Sequence, residues 1–367
     1  MTTTTSAGLF TALLLVAVPA CSAGSSSQSA EDDSVHVAFA NISDQASQFR
    51  PISDSFKTYA QKLQWGIETY DNAFDASASL NNAKLMADSE ADVLIDFTSV
   101  DGVQPAISQT FAAAGKKCIA MNTAIEGCSL FNISNEKYGA DAGSNLAAEA
   151  VKRGWTANDT TFIAVNYAAG GSNPQGLASS SYEAFSSKFP GLTRTPKEDI
   201  TSSTTTIGEN FVQIDGKATL ADSSTALRDA LQLIPPGRHL AITTVNDDEA
   251  LGVLAALEST GRTNDALLAS TGSSPDGLKN LRENPIWISE GAVYLNYWAG
   301  YSLAMAKAMM DGHTPPELTV APQNTLTKEN VDEFFKDGIA IKAPAPDESS
   351  KYLLDTGVLQ KLGLAGS

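Results

Sequence analysis

Four asparagines stand where apolar, strand-like runs end, at Asn41, Asn122, Asn166 and Asn246. A side-chain amide both donates and accepts hydrogen bonds, so several amides at neighbouring strand ends suit a ligand that carries many hydroxyl groups. The turns around them contain no group of lysines or arginines, which a phosphate or carboxylate ligand would demand. The pattern favours binding of an uncharged, hydroxylated molecule.

One of these junctions lies in the segment TTVNDDEALGVLAALESTG, residues 243–261. Asn246 is suited to cap the following helix, with Glu249 three residues on. Asp247 and Asp248 add negative charge to the first turn, which the helix dipole favours. Capping alone can account for this cluster, and so can a ligand site.

Catalytic chemistry has little support in the sequence. The three histidines, His36, His239 and His313, do not adjoin a serine or cysteine nucleophile motif, and no metal-ligand spacing occurs. The stretch AAGGSN, residues 168–173, has two glycines but no P-loop lysine or dinucleotide pattern. We expect no enzyme activity, no metal and no cofactor.

Apolar strand-like runs alternate with amphipathic helical stretches from residue 35 onward, which indicates parallel sheets covered by helices on both faces. In such sheets ligands bind beyond the carboxyl ends of the strands, where the asparagines lie. The strand candidates are VHVAFA at 35, DVLIDFT at 92, CIAMNT at 118, TFIAVNY at 161, HLAITTV at 239 and ALLAST at 266.

The composition sets the class of partner. The 367 residues are 43% hydrophobic, which is enough for one large or two medium domains with ordinary cores. A formal charge of −18 argues against nucleic acid or an anionic lipid surface as a partner, because phosphate binding needs a basic face.

The N-terminus predicts export. Residues 1–21 are expected to form a signal peptide, because residues 7–20 are apolar, uncharged and too short to span a bilayer comfortably. The sequence VPAC, which ends at Cys21, resembles the lipobox of bacterial lipoproteins; a plain secretory signal with an incidental cysteine is the alternative. The Ser-rich, acidic residues 22–34 predict a flexible tether. We therefore expect lipidation at Cys21 and anchoring on the extracytoplasmic face of the cell membrane.

Cys118 and Cys128 form an even pair in a chain that is expected to be exported. They are candidates for a disulfide that closes this short loop. Two buried free thiols are the alternative.

Three segments resemble the type 1 periplasmic-binding-protein family, specifically the sugar-binding subunits of ABC importers related to ribose-binding protein. The resemblance covers about residues 35–325, and the segments occur in the family's order and spacing. They are DVLIDFTSVDGVQPAISQTFAAAGKKCIAMNT, ISNEKYGADAGSNLAAEAVKRG and VNDDEALGVLAALESTG.

The resemblance implies an α/β fold of two Rossmann-like lobes with parallel sheets, joined by a three-strand hinge. It places residues 35–133 and 294–318 in the first lobe, and residues 134–293 and 319–367 in the second. The role of the tail beyond the family's usual end is open. The hinge crossings are expected near Ser134, Val293 and Val320.

Ligand contacts in the first lobe follow from the same resemblance. Asn41 offers hydrogen bonds, and Phe49 takes an aromatic position that stacks on the sugar ring in relatives, unless it belongs to the core of the following helix. Asn122 and Thr123 fall where relatives commonly carry an Asp-Arg pair. Ser179 aligns approximately with a ligand-binding arginine of relatives, and Gly272 with a ligand-binding aspartate. Because all three clamps are missing, ribose itself is disfavoured as the ligand.

In the second lobe, Asn246 is expected to cap its helix and also to reach a sugar hydroxyl, with Asp247 beside it as helper. Tyr294 and Asn296 lie near the position where relatives present a glutamine.

The implied function is that of an extracytoplasmic solute-binding lipoprotein. It would capture a neutral sugar or sugar alcohol between the lobes and deliver it to the permease of an ABC importer. A sensor that presents the same ligand to a membrane receptor kinase is the alternative. We expect a monomer whose partners are the small ligand, the permease and, through lipid, the membrane, with no nucleic acid.

Overall fold

The computed structural model describes residues 1–3, 34–46 and 49–365. Residues 34–46 and 49–365 belong to one compact unit, which holds all the elements described below. Cys21, most of the signal segment and nearly all of the tether lie outside the described residues. In the described part of the chain, no helix combines the length and the apolar character that a membrane crossing requires.

Strands and helices alternate along most of this unit, as the apolar periodicity predicts. The strands are β1 (His36–Asn41), β2 (Gly66–Asp71), β3 (Val93–Phe97), β4 (Lys117–Met121), β5 (Ser129–Asn132), β6 (Thr160–Asn166), β7 (Thr206–Ile207), β8 (Phe211–Asp215), β9 (His239–Thr244), β10 (Ala266–Gly272), β11 (Trp287–Val293), β12 (Leu318–Val320), β13 (Gln323–Leu326), β14 (Phe335–Lys336) and β15 (Ile339–Ala340). The α-helices are α1 (Arg50–Leu63), α2 (Ala76–Asp88), α3 (Gln104–Ala114), α4 (Asn135–Lys152), α5 (Ser172–Lys188), α6 (Leu220–Leu231), α7 (Asp247–Thr260), α8 (Pro275–Glu283), α9 (Leu295–Met310), α10 (Val331–Phe334) and α11 (Val358–Leu362). Short 3₁₀ helices span Ala168–Gly170, Lys197–Asp199, Thr263–Asp265 and Glu348–Thr356.

Two separate sheets define two lobes. The first sheet has the spatial order β12-β5-β4-β3-β1-β2, and its strands are all parallel. The second has the order β13-β11-β10-β9-β6-β8-β7, with antiparallel β13 and β7 at its two edges. The prediction of an α/β fold with parallel-rich sheets in two lobes is confirmed.

Each sheet is covered on both faces, which explains why its central strands are continuous apolar runs. Successive residues of β3 enter different clusters: Val93 and Ile95 pack with α1 and α9, whereas Leu94 packs with α2 and α3. The second sheet is divided in the same way between α6 to α8 on one face and α4 with α5 on the other.

Four of the helices that follow strands begin at a side chain that caps them. Asp75, Ser134, Thr219 and Ser274 each accept a hydrogen bond from a backbone amide three residues ahead. Such caps satisfy amides that have no partner within the helix. They fix the helix starts at the carboxyl ends of the strands.

The chain passes between the two sheets at residues 133–134, at Tyr294 and at residues 321–322. Two of these crossings are bonded to each other, since the amide of Ala321 donates to the Asn132 carbonyl at 2.8 Å. The crossing segments therefore form a connected hinge.

The C-terminal segment corrects one expectation. The family resemblance predicts that residues 319–367 belong as a whole to the second lobe, but the chain beyond about residue 348 packs on the first. Leu353, Val358 and Leu359 are buried in the first-lobe core, and β12 is the edge strand of the first sheet. Burial of these apolar side chains against α9 and α1 gives the tail a position that the family resemblance does not supply.

Cys118 and Cys128 are joined by a disulfide. Cys118 lies in β4, and Cys128 directly precedes β5. The bond therefore closes the turn between two neighbouring strands of the first lobe.

Candidate functional site

The carboxyl ends of the two sheets face each other. Asn122 follows β4 of the first lobe, and Asn173 lies in the first turn of α5, which follows β6 of the second. The side-chain Nδ2 of Asn173 donates to the main-chain oxygen of Asn122 at 3.0 Å. This contact places the strand-end turns of both lobes on opposite sides of one cleft, where open α/β sheets bind ligands.

Aromatic rings form the first-lobe side of this region. The Phe49 ring lies 5.7 Å from the ring of Phe97 and 6.1 Å from that of Phe74, measured between centroids. Phe97 in turn lies 5.8 Å from Trp298 of α9. Phe74 is 51% exposed and Phe49 is half-buried, so this group offers apolar ring surface at the rim of the first lobe.

The amide of Asn41 is occupied within its own loop. Its Nδ2 donates to Asp44 Oδ1 at 2.7 Å and to the Phe49 carbonyl at 3.1 Å, and its Oδ1 accepts from the Ile42 amide at 3.0 Å. Asn41 is fully buried. It holds the loop that presents Phe49, and its predicted contact with a ligand would require one of these bonds to break.

Asn122 and Thr123 are more accessible. Asn122 has a φ of 68°, a left-handed conformation that asparagine adopts more readily than most residues. Its carbonyl also accepts from Asn132 Nδ2 at 2.8 Å. Within the described part of the chain, the side chains of Asn122 and Thr123 have no hydrogen-bond partner, so both are available to a ligand.

Asn246 caps α7. Its Oδ1 accepts from the Glu249 amide at 2.8 Å, and its Nδ2 donates to the Ala218 carbonyl at 3.2 Å. Both ends of the side chain are thus engaged in the second lobe. The capping part of the prediction matches this geometry, and the ligand contact stays a prediction.

Asp247 is buried and belongs to a network that links three strand ends. Its carboxylate accepts from Ser270 Oγ at 3.0 Å and from the Ser274 amide at 2.7 Å. A Cβ atom at Gly272 would lie 2.5 Å from Asp247 Oδ2. The carboxylate of Asp247 therefore fills the space beside Gly272, the position that the family resemblance aligns with a ligand-binding aspartate.

Glu290 completes this network and was not foreseen from the sequence. It is fully buried in β11, and it accepts from the Ser273 amide at 2.8 Å and from Trp287 Nε1 at 2.9 Å. Burial and the nearby Asp247 raise the pKa of Glu290 well above its ordinary value. The only sequence signal for Glu290 is an acid inside an apolar strand.

Glu249 is buried. The sequence predicts it in the charged first turn of α7 but does not indicate its burial. Glu249 accepts from the Ala218 amide at 2.9 Å and from the Val245 amide at 3.2 Å. Burial raises its pKa to about 8 despite these bonds. Glu249 thus ties the turn that carries Asn246 to the turn after β8.

Tyr294 and Asn296 differ in environment. Tyr294 is fully buried at the second crossing, where its hydroxyl donates to Asn324 Oδ1 at 2.6 Å and its ring lies 5.1 Å from Phe335. It packs in the second-lobe core. Asn296 is exposed in the first turn of α9, where a ligand can reach it.

Asp96 is a second buried acid that the sequence analysis missed. It lies near the carboxyl end of β3, and neither of its oxygens has a partner with hydrogen-bond geometry among the described residues. Burial raises its pKa to about 7, and the nearby amide of Asn72 offsets this only in part. The sequence signal was again a single acid within an apolar run.

Arg50, the neighbour of Phe49, lines a surface depression of about 530 Å³ together with Gln45, Asp54 and Tyr59. The residues that line it all belong to the first lobe. This depression is therefore separate from the contact region between Asn122 and Asn173.

Comparison with known proteins agrees with this arrangement. The periplasmic binding protein domain matches residues 37–314. The chain belongs to the periplasmic binding protein family. A search of curated protein sequences finds no match.

Solved structures share the fold at low sequence identity. An ABC transporter solute-binding protein from Mycobacterium smegmatis with bound glycerol has a TM-score of 0.63 and 18% identity, covering 84% of this chain and 100% of its own. One from Bacillus halodurans C-125 with bound myo-inositol has a TM-score of 0.62 and 17% identity, covering 83% and 98%. One from Actinobacillus succinogenes 130z with bound D-allose has a TM-score of 0.64 and 13% identity, covering 82% and 100%.

Proposed function

We propose that this protein is an extracytoplasmic solute-binding lipoprotein of an ABC importer. It captures a neutral sugar or sugar alcohol between its lobes and delivers it to the permease. The three solved relatives named above hold glycerol, myo-inositol and D-allose. Their ligands are uncharged and hydroxylated, which is the class that the strand-end amides of this chain suit.

The opposed strand ends of the two lobes carry this proposal. Phe49 and Phe74 supply apolar ring surface, while Asn122, Thr123 and Asn296 supply accessible hydrogen-bonding groups. A sugar presents apolar C–H faces to aromatic rings and hydroxyl edges to amides, so such a mixed wall fixes its orientation.

The charges near the cleft favour a neutral ligand. Arg50 begins α1 and Lys217 lies in the turn after β8, but both are exposed, and Lys217 pairs with Asp222 at 3.2 Å. Asp247 and Glu290 place buried acid groups at the strand ends of the second lobe. Both acids are bonded to neutral donors, so this part of the second lobe provides no cation to compensate a phosphate or carboxylate ligand.

Capture requires no chemical step. A ligand that contacts both lobes binds the closed state more tightly than the open one, and it shifts the population towards closure by that difference in affinity. The permease can then distinguish the loaded protein from the empty one by its shape.

A thermal-shift screen of the chain from Ser22 onward tests the ligand class. The panel contains pentoses, hexoses, polyols and purine nucleosides, with amino acids and sugar phosphates for comparison. A neutral sugar or polyol at about 100 times its Kd should add about 2.7 kcal/mol to the free energy of unfolding. Stabilisation by amino acids or anions alone would overturn the proposal.

Lipid anchoring is tested separately. When the full chain is produced in a bacterial host, it should enter the membrane fraction, and its mature N-terminal peptide should carry acyl mass on Cys21. A Cys21→Ser variant should be exported without that mass. An unmodified Cys21 would contradict lipid anchoring and would indicate a secreted binding protein with a plain signal peptide.

A further inference from the structure

The chain connects its lobes a fourth time. After the crossing at residues 321–322 it forms β13, α10 and the hairpin of β14 and β15 in the second lobe, and it then returns to the first through residues 341–347. We propose that residues 331–365, here called the C-terminal strap, tie the lobes together and limit how far the cleft opens.

The first anchor of the strap is built into the second lobe. Val331 and Phe335 are buried in the core of that lobe, at 0% and 3% exposure. Arg282 of α8 holds the same segment from outside: its Nε lies 2.8 Å from Asp332 Oδ1, and its Nη2 donates to the Phe335 carbonyl at 3.1 Å. This end cannot leave the lobe without exposing apolar core.

The second anchor is built into the first lobe. Leu353, Val358, Leu359 and Leu362 are buried in the core formed with α1 and α9. The approach is close, since a Cβ atom at Gly300 of α9 would lie 2.2 Å from Leu364 Cδ1. This end, like the first, cannot leave its lobe without exposing apolar core.

Both anchors contact the hinge. Phe335 packs on Tyr294, the residue of the second crossing, with ring centroids 5.1 Å apart. On the other side, Ser349 Oγ accepts from the Val320 amide at 3.0 Å, directly before the third crossing, and Ser350 Oγ donates to the Val320 carbonyl. The strap therefore spans the hinge beside these crossings, and any lobe movement that separates its anchors must extend the segment between them.

The span between the anchors is short and stiff. Its sequence is IKAPAPD, with Pro344 and Pro346 restricting the backbone, and it forms neither helix nor strand. Seven residues reach at most about 25 Å when fully extended. A tether of this length sets an upper limit on the separation of the anchors, and the limit applies with or without a ligand.

Lengthening the span tests the proposal without disturbing either anchor. Eight flexible Gly and Ser residues inserted between Pro344 and Ala345 add slack of roughly 15 Å. The matched control carries the same insertion between Pro236 and Gly237, an exposed turn within the second lobe. Spin labels at Asp101→Cys and Lys217→Cys, in a Cys21→Ser background, report the distance between strand-end turns of opposite lobes in ligand-free protein.

We expect the insertion in the strap to shift the inter-label distances to longer values and broaden them, while the control stays like the parent protein. Identical distributions in all three proteins would overturn the proposal. A protease site placed in the inserted segment gives a second measurement, because one folded sample is then compared before and after cutting. These readouts need no ligand, so they are independent of the sugar-binding proposal.

Discussion

The Nδ2 atom of Asn173 lies 3.0 Å from the carbonyl oxygen of Asn122, and this bond joins the two lobes across the cleft. The same carbonyl accepts from Asn132, the last residue of β5 before the first crossing. Among the described residues, no other hydrogen bond joins the lobes away from the crossing segments. The Asn122 carbonyl oxygen therefore bonds both to the second lobe and to the residue that precedes the first crossing.

We predict that Asn173→Ala favours the open state. The substitution removes one hydrogen bond whose net contribution is about 0.5–1.5 kcal/mol, so it should weaken ligand affinity by up to about tenfold. Small-angle X-ray scattering of the ligand-free variant should give a larger radius of gyration than the parent protein.

Asn158→Ala is the matched control, because Asn158 is exposed in the loop before β6, at the opposite end of that strand from the cleft. It should change neither the scattering curve nor the affinity. If Asn173→Ala scattered like this control, the bond between Asn173 and Asn122 would have no measurable part in closure.

Two substitutions at Asn246 separate capping from ligand binding. Asn246→Ala removes the cap of α7 and should lower the free energy of unfolding by about 0.5–2 kcal/mol, whereas Asn246→Ser retains a capping hydroxyl and most of that stability. Both variants lack the amide and should lose the stabilisation produced by the ligand. If calorimetry gave full ligand affinity for Asn246→Ser, Asn246 would act as a helix cap and would not contact the ligand.

Asp96 should make stability depend on pH. Its pKa is raised from 3.8 to about 7 by burial, so the folded protein holds the proton more tightly than the unfolded chain does. The stabilising contribution of this proton is complete below pH 3.8 and is lost as the pH rises through about 7. The side chain of the Asp96→Asn variant stays neutral at all pH values. Between pH 5 and pH 8, the melting temperature of this variant should therefore fall less than that of the parent protein.

The exposed acid Asp101 provides the comparison for that experiment. Asp101→Asn should leave the slope of melting temperature against pH as it is in the parent protein. An unchanged slope in Asp96→Asn would show that the buried carboxyl does not titrate differently on folding.

Close packing of α4 on α5 depends on Gly143. A Cβ atom there would lie 1.9 Å from the Ser181 carbonyl oxygen, so Gly143→Ala should destabilise the second lobe by about 1–3 kcal/mol or more. At Gly176 of α5 such an atom would lie 3.5 Å from Glu136 Cγ, an ordinary van der Waals contact. Gly176→Ala should be neutral or stabilising by up to about 1 kcal/mol, and urea unfolding that ranked the two variants in the opposite order would contradict this packing.

The sequence predicted the fold well, because the strands of parallel sheets are continuous apolar runs and the polar turns follow them. It did not predict the return of the tail to the first lobe, since the residues that bury Leu353 and Leu359 are distant in the chain. Asp96 and Glu290 were missed for a related reason: the sequence does not indicate whether a single acidic side chain within an apolar strand is buried. The amides of Asn41 and Asn246 were seen as ligand groups, but only the structure shows how fully they are bonded within their own lobes.

Isothermal titration calorimetry tests the central claim most directly. Neutral hexoses and polyols are titrated into the protein beside their phosphorylated and carboxylated counterparts at equal concentration. We predict saturable binding of one neutral sugar or polyol per chain and no binding of its charged counterpart. Binding only of charged compounds, or of none of the neutral ones, would contradict an uncharged, hydroxylated ligand held between the two lobes.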